Sequence, residues 1–217
     1  MSDPNPNLLK AQARIAQILH PGVLIKFGQE ARSAYITSDE LEKSYLDPST
    51  IRETAPVILR GLLETSLVNL ARNIGGAKLL TVPNSRNTSS HNELILAGQI
   101  RLSIARCHPW TKSPTLADFR RAGSAHNGTM LWPELMEVPD VEAGGILNGY
   151  VEHLPAATRL LPPKILRINF PTPDFLGQIA SVDLKPYFQD QIKRAKATVE
   201  EIEEIHDLAI MEEKKSN

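Results

Sequence analysis

Ser90–Arg106, SHNELILAGQIRLSIAR, is the stretch on which the fold turns. Ser90 and Glu93 stand in the S-x-x-E spacing of a capping box, in which each side chain satisfies the other residue's backbone N–H at a helix start. Ile95, Ile100, Leu102 and Ile104 follow, so the stretch reads as a short helix running to Arg106 and stopped by Pro109. Upstream, Arg52–Gly76, RETAPVILRGLLETSLVNLARNIGG, carries Val57, Leu59, Leu62, Leu63, Leu67, Leu70, Ala71 and Ile74 at helical spacing, with Pro56 near its start and Gly75-Gly76 at its end. A helix so long and apolar on more than one face needs cover on both sides. The polar loop VPNSRNTSS separates the two. Before them, Ser38-Asp39-Glu40-Leu41 opens a short polar helix ending near Tyr45, and Asp47-Pro48-Ser49 is a turn. The middle of the chain therefore reads short helix, loop, long helix, loop, short helix.

Outward from this centre, Leu8–Leu19 has helical spacing and is stopped by His20-Pro21-Gly22. Residues 151 to 186 hold Pro155, Pro162, Pro163, Pro171, Pro173 and Pro186, a density that predicts an extended strap rather than a packed helix or central strand. The last segment carries Ile192, Ala195, Val199, Ile202, His206 and Ala209 at three- and four-residue steps, an amphipathic helix with an acidic run at Glu200–Glu204.

The chain has 217 residues, 41% hydrophobic, with 24 Lys plus Arg against 25 Asp plus Glu and a formal charge of −1. That apolar share supports a core, and the near-neutral charge excludes a chain that is basic throughout, so any nucleic-acid contact needs local patches. Through residue 150 there are 15 cations and 14 anions; from 151 on there are 9 and 11. One cysteine, Cys107, excludes an internal disulfide and a cysteine-cluster zinc site. The start, MSDPNPNLLK, lacks a signal-peptide pattern, and no window reaches the apolar length of a membrane span, so an intracellular, unsecreted protein is expected.

Three blocks, in order, resemble the core histone 2A family. Thr54-Ala55-Pro56-Val57-Ile58-Leu59 with Leu62-Leu63-Glu64 is similar to its G-A-P-V-Y-L…V-L-E stretch, Ile95–Ile104 to I-I-P-R-H-L-Q-L-A-I, and Ala125–Pro133 to the docking segment A-Q-G-G-V-L-P. The resemblance implies an all-α histone fold. It would have a helical extension over 1–32, a histone-fold-like domain over 33–121, a docking-like segment over 122–150, the strap over 151–186 and the acidic helix over 187–217. It also implies a heterodimer with a histone 2B-like partner, joined by other core histones, that packages DNA in nucleosome-like particles by backbone contact. The location would be the nucleus or a viral particle, since the enlarged loops and added segments resemble divergent histones of large DNA viruses or deep-branching eukaryotes.

On that resemblance the DNA-binding candidates are Lys43, Arg52, Lys78 and Arg86. Leu59, Leu63, Leu67, Leu70, Ile100 and Ile104 would meet the partner, and His126, Asn127, Gly128 and Leu131 would dock. The departures are large. The family's loop arginines fall on Thr50 and Leu94, and of its acidic patch only Glu64 remains, with Asn69, Arg72 and Cys107-His108-Pro109 at the other positions. The alternatives are a histone-fold subunit of a transcription or replication complex, or a non-histone helical scaffold. An enzyme is disfavoured: G-x-G-x-x-G, P-loop, H-E-x-x-H and G-x-S-x-G patterns are all absent, and Cys107-His108 has no second cysteine or histidine cluster beside it. No catalytic residue, metal, cofactor, membrane or small-molecule substrate is expected.

Overall fold

The computed structural model describes residues 5–83, 90–108, 118–131, 145–156 and 161–188. Three helices come first: α1 (Pro6–Ile18), α2 (Pro21–Tyr45) and α3 (Pro48–Asn73). Each opens on proline, whose fixed φ suits the first helical position and whose missing N–H is not needed there. Each is also capped by the residue before it. Asn5, His20 and Asp47 accept the N–H of Asn7, Gly22 and Ser49 on their side chains. α2 and α3 pack along each other, fastened where Asn69 Nδ2 donates to Glu30 Oε2 at 2.9 Å and Ser66 Oγ to the Glu30 carbonyl at 3.2 Å.

A six-stranded sheet follows, built from β1 (Lys78–Pro83), β2 (Ser90–Leu96), β3 (Ile100–Arg106), β4 (Leu147–Leu154), β5 (Ile165–Pro171) and β6 (Gln178–Asp183). Strand order in space is the order in sequence. Every neighbouring pair is antiparallel except β3 and β4, which are parallel and joined by a crossover carrying α4 (Asp118–Leu131). Two three-stranded meanders thus meet side by side. One continuous apolar core runs from Ala11 to Phe188 and includes the leucines of α3 and the strand residues Leu94, Leu102, Val151 and Ile168.

The all-α histone fold is therefore overturned by a mixed sheet, and Ser90–Arg106 shows why most directly. That stretch is the β2–β3 hairpin. Leu94 and Leu96 precede the turn and Ile100, Leu102 and Ile104 follow it, all two residues apart, which is the period of a strand. Ala97 and Gly98 take φ of 49° and 67°, the left-handed conformation that reverses the chain, and Gln99 N–H bonds the Leu96 carbonyl at 2.9 Å. Ser90 and Glu93 cap nothing; they lie within β2.

The expected first short helix is the end of the much longer α2, and α3 starts at Pro48, which places Pro56 inside the helix. The Pro-rich region is not a strap but part of the sheet. It contains the end of β4 and all of β5 and β6, with its prolines punctuating the strands: Pro155 follows β4, Pro163 precedes β5, and Pro171 ends it. The expected C-terminal amphipathic helix lies outside the described residues.

Candidate functional site

Strand alternation gives the sheet two unlike faces. One carries Leu94, Leu102, Val151, Ile168 and Phe170 into the core against α2 and α3, with Tyr35 of α2 edge-on to His153 at 6.4 Å. The other face, under α4, is polar. Its cross-strand pairs include Ser103 with Tyr150, Arg101 with Asn148, Tyr150 with Asn169 and Glu152 with Arg167.

Ion pairs and amides satisfy most of this layer. Fully buried Glu152 pairs with Arg167 and accepts Asn169 Nδ2 at 3.1 Å, while the same Nδ2 donates to Tyr150 Oη at 3.2 Å. Burial, reinforced by the Glu152 charge, pushes the Tyr150 hydroxyl up to about 12. His91 Nε2 meets Glu93 Oε1 at 3.1 Å, and its ring stacks on Phe119 of α4 at 3.9 Å. Glu93 Oε2 and Arg101 Nε face each other at 3.6 Å, beyond hydrogen-bond distance, and each lacks a hydrogen bond.

Glu93, Arg101, Ser103, Arg120, Asn148 and Tyr150 line a cleft here. The space open to a water centre is ≈ 20 Å³. One water needs about 10–15 Å³ by that measure, so the cleft is of the size of one water rather than of a metabolite. Among the described residues no group of three His, Cys, Asp or Glu could hold a metal ion. Cys107 is buried in the same layer, and desolvation, then the Glu152 charge, pushes its thiol up to about 12, far from nucleophilic at neutral pH.

The polar layer borders a defect in the sheet. β2 and β3 pair only at Leu94–Leu102, Ile95–Arg101 and Leu96–Ile100, although both strands run on to Ser90 and Arg106. Extending that register sets Asn92 opposite Ile104. Instead, Asn92 N–H donates to Glu64 Oε2 of α3 at 2.6 Å, and Ile104 C=O accepts Arg120 Nη1 of α4 at 3.0 Å. Burial holds the Arg120 guanidinium down to about 10, with Arg60 adding to the effect.

The two edges of the sheet are treated differently. Leu184 N–H bonds the Leu166 carbonyl, so even-numbered residues of β6 aim at β5 and Ile179, Ser181 and Asp183 aim outward. That edge is guarded: α1 packs against β6, and Gln12 Nε2 donates to the Ile179 carbonyl at 2.8 Å. At the other edge, Leu96 C=O accepting from Gln99 shows that even-numbered residues of β2 aim at β3. Its odd-numbered residues therefore aim at Lys78, Leu80 and Val82, leaving the backbone of Leu79, Thr81 and Pro83 pointing out of the sheet. Pro83 has no N–H to offer, and Leu79 and Leu80 are 36% and 39% exposed.

Of the residues expected to bind DNA, the three that are described do not all come together. Lys43 ends α2 and is held by Asp39 at 2.6 Å; Arg52 lies in the second turn of α3; Lys78 starts β1; Arg86 lies outside the described residues. Arg52 and Lys78 flank almost the whole of α3, roughly 30 Å apart at 1.5 Å per residue. Leu59, Leu63, Leu67, Leu70, Ile100 and Ile104, expected to meet a partner, are buried in the chain's own core. Of the docking residues, Asn127 docks α4 onto the chain's own sheet: its Oδ1 accepts Asn148 N–H at 2.8 Å, and its Nδ2 donates to the Asn148 and Pro171 carbonyls, both at 3.0 Å. Leu131 is buried with its carbonyl bonded by Asn5 and Asn7, Gly128 is buried and His126 is exposed. Sequence reasoning missed Glu64 as a sheet ligand, Arg120 and the open edge at β1.

No family model, curated protein or solved structure matches the chain. With the mixed sheet, this removes the histone 2A resemblance. Among the described residues, no helix is long and apolar enough to cross a membrane.

Proposed function

We propose that this chain is a non-catalytic assembly protein that pairs with a second copy of itself through β1. The observation that carries the reading is the β1 edge, which no described residue covers, whereas at the opposite edge α1 packs against β6 and Gln12 takes the Ile179 carbonyl. Only odd-numbered residues of β1 offer outward backbone groups, so an antiparallel β1–β1 pair must place odd residues opposite odd. Centring the two-fold axis on Leu80 sets Leu79 of each copy opposite Thr81 of the other. All four outward N–H groups of Leu79 and Thr81 then find carbonyls, and Pro83 lies beyond the last bond. Leu80 meets Leu80 of the second copy in the close, non-hydrogen-bonded position, and Lys78 falls opposite Val82, so no like charges are apposed. The product is a sheet continuous across two copies. A six-residue strand buries far less than the roughly 1,200 Å² of a standard interface, which makes the dimer weak and concentration-dependent. Among the described residues the polar layer offers only a water-sized cleft and a buried, protonated thiol, which favours assembly over catalysis.

Cysteine scanning tests the register, because Cys107 is buried and its thiol stays protonated. Under mild oxidation of the full chain, Leu80→Cys should give a disulfide-linked dimer, while Leu79→Cys and Thr81→Cys should not. Sedimentation of the unmodified chain should show a concentration-dependent dimer. Monomer at every concentration, or equal crosslinking at all three positions, would overturn the proposal.

A further inference from the structure

Glu64 and Arg120 occupy the place of one missing ladder bond. In the register set by the three β2–β3 pairs, Asn92 N–H would donate directly to Ile104 C=O. Glu64 reaches in from α3 to take the donor, and Arg120 reaches in from α4 to take the acceptor. An anionic acceptor and a cationic donor thus substitute for the two halves of a neutral backbone bond, each with the sign that bonds it most strongly. Neither backbone group is orphaned, so the split costs the sheet little while the two side chains stay in place.

We infer that the β2–β3 ladder is a two-position latch. It is held open while Glu64 and Arg120 take the Asn92 N–H and the Ile104 C=O, and it zips when those two backbone groups bond each other. Several groups face Glu64. Arg60 lies one turn earlier on α3, its Nε 3.9 Å from Oε1; His91 approaches from β2, Arg120 from α4, and the Asn92 N–H from the strand itself. Burial is the largest influence and raises the carboxyl above its ordinary range, against the Asn92 bond and the three cationic or ionisable neighbours. A protonated carboxyl is the weaker acceptor, so acid favours the zipped position. β2 carries β1 with it through the His91–Val82 and Asn92–Thr81 pairs, so the latch position sets where the open sheet edge lies. The latch stands independently of the dimer: it rests on the split alone.

The test is nuclear magnetic resonance on the isotope-labelled full chain, reading the through-hydrogen-bond coupling between Asn92 N and the Ile104 carbonyl carbon together with Asn92 amide exchange. In the unmodified chain near neutral pH no coupling should appear. In Glu64→Ala, and in the unmodified chain at about pH 4.5, it should appear, with Asn92 exchange changing less than about tenfold. Glu64→Met, which keeps much of the side chain's bulk but has no oxygen to accept the Asn92 N–H, serves if Glu64→Ala fails to fold. Coupling already present near neutral pH would overturn the latch. So would its absence in all the perturbed states with exchange at Asn92 accelerated about a hundredfold or more, the mark of a rigid split with an orphaned amide.

Discussion

Replacing Asn127 by alanine should be among the most damaging single changes to this protein, and its cost follows from three distances. The side chain is fully buried on α4. Its oxygen accepts Asn148 N–H at 2.8 Å and its nitrogen donates to the carbonyls of Asn148 and Pro171 at 3.0 Å, just beyond the point where β4–β5 pairing ends. The amide continues the ladder with side-chain atoms and fixes α4 to both strands. Each bond contributes about 1 kcal/mol net, and a buried carbonyl left without a donor, as at Pro171, adds about 1–3 kcal/mol, for a total of roughly 4–6 kcal/mol. Total stability of a domain is about 5–15 kcal/mol, so the loss is a large share of it. Urea unfolding should show a lower midpoint with an unchanged slope, and the melting temperature should fall by roughly 10 °C, at about 2–4 °C per kcal/mol for a chain of this size. Asn127→Asp supplies the control. It keeps an acceptor for Asn148 N–H but turns a second oxygen toward two carbonyls, so near neutral pH it should be no better than alanine. It should recover on acidification, when the carboxyl gains a proton to donate. A loss below about 1 kcal/mol for alanine, or a neutral aspartate variant, would refute the docking of α4 by this amide.

Gly149→Ala should destabilise by about 1–3 kcal/mol in a thermal melt, because a Cβ there would lie 2.8 Å from the Asn169 carbonyl oxygen and 2.9 Å from the Phe170 ring. Cys107 should resist thiol reagents at about pH 8 until the chain unfolds. Its thiol ionises near 9.0 when exposed but only at about 12 when folded, so the unfolded state should gain progressively between those values and the protein should lose stability there. Cys107→Ala should flatten that alkaline loss.

The helices were legible where local chemistry suffices. Asn5-Pro6, His20-Pro21 and Asp47-Pro48 each join a capping side chain to a proline, and all three mark helix starts. The long apolar run before Gly75 is helical as its spacing says. The sheet was hidden for two reasons. In Ser90–Arg106 a fortuitous S-x-x-E and a scatter of isoleucines fit the helical period, while the decisive signal, two-residue spacing on either side of Ala97-Gly98, occupies only a few positions. In Leu147–Asp183 the prolines drew attention from the strands between them, and ILRINF of β5 is a central strand flanked by them. The polar layer was less accessible still. Glu64, Glu93, Arg101, Arg120 and Glu152 are ordinary surface residue types spread over three parts of the chain; α3, the β2–β3 hairpin and the crossover through α4 together bring them to one region.

The long helix posed the question of what covers its apolar faces, and the structure answers it within one chain. α2 lies along α3, and the sheet receives Leu59, Leu63, Leu67 and Leu70. A partner is therefore not needed to complete the core. In the proposed dimer the demand for a partner moves from apolar surface to the backbone hydrogen bonds of the outer strands. β2 to β5 are paired on both sides apart from the split that Glu64 and Arg120 fill and the end of β4–β5 that Asn127 fills, and at β6 Gln12 takes the Ile179 carbonyl. At β1 the Leu79 and Thr81 backbone groups face outward, with two exposed leucines on the strand and no acidic residue to repel a second copy. Edge strands left this way associate unless something blocks them, and among the described residues the blocks are Lys78 at one end and Pro83 at the other. Both fall outside the four bonds that a two-fold pair centred on Leu80 would make. They limit the length of the pairing and its register, and leave its centre open.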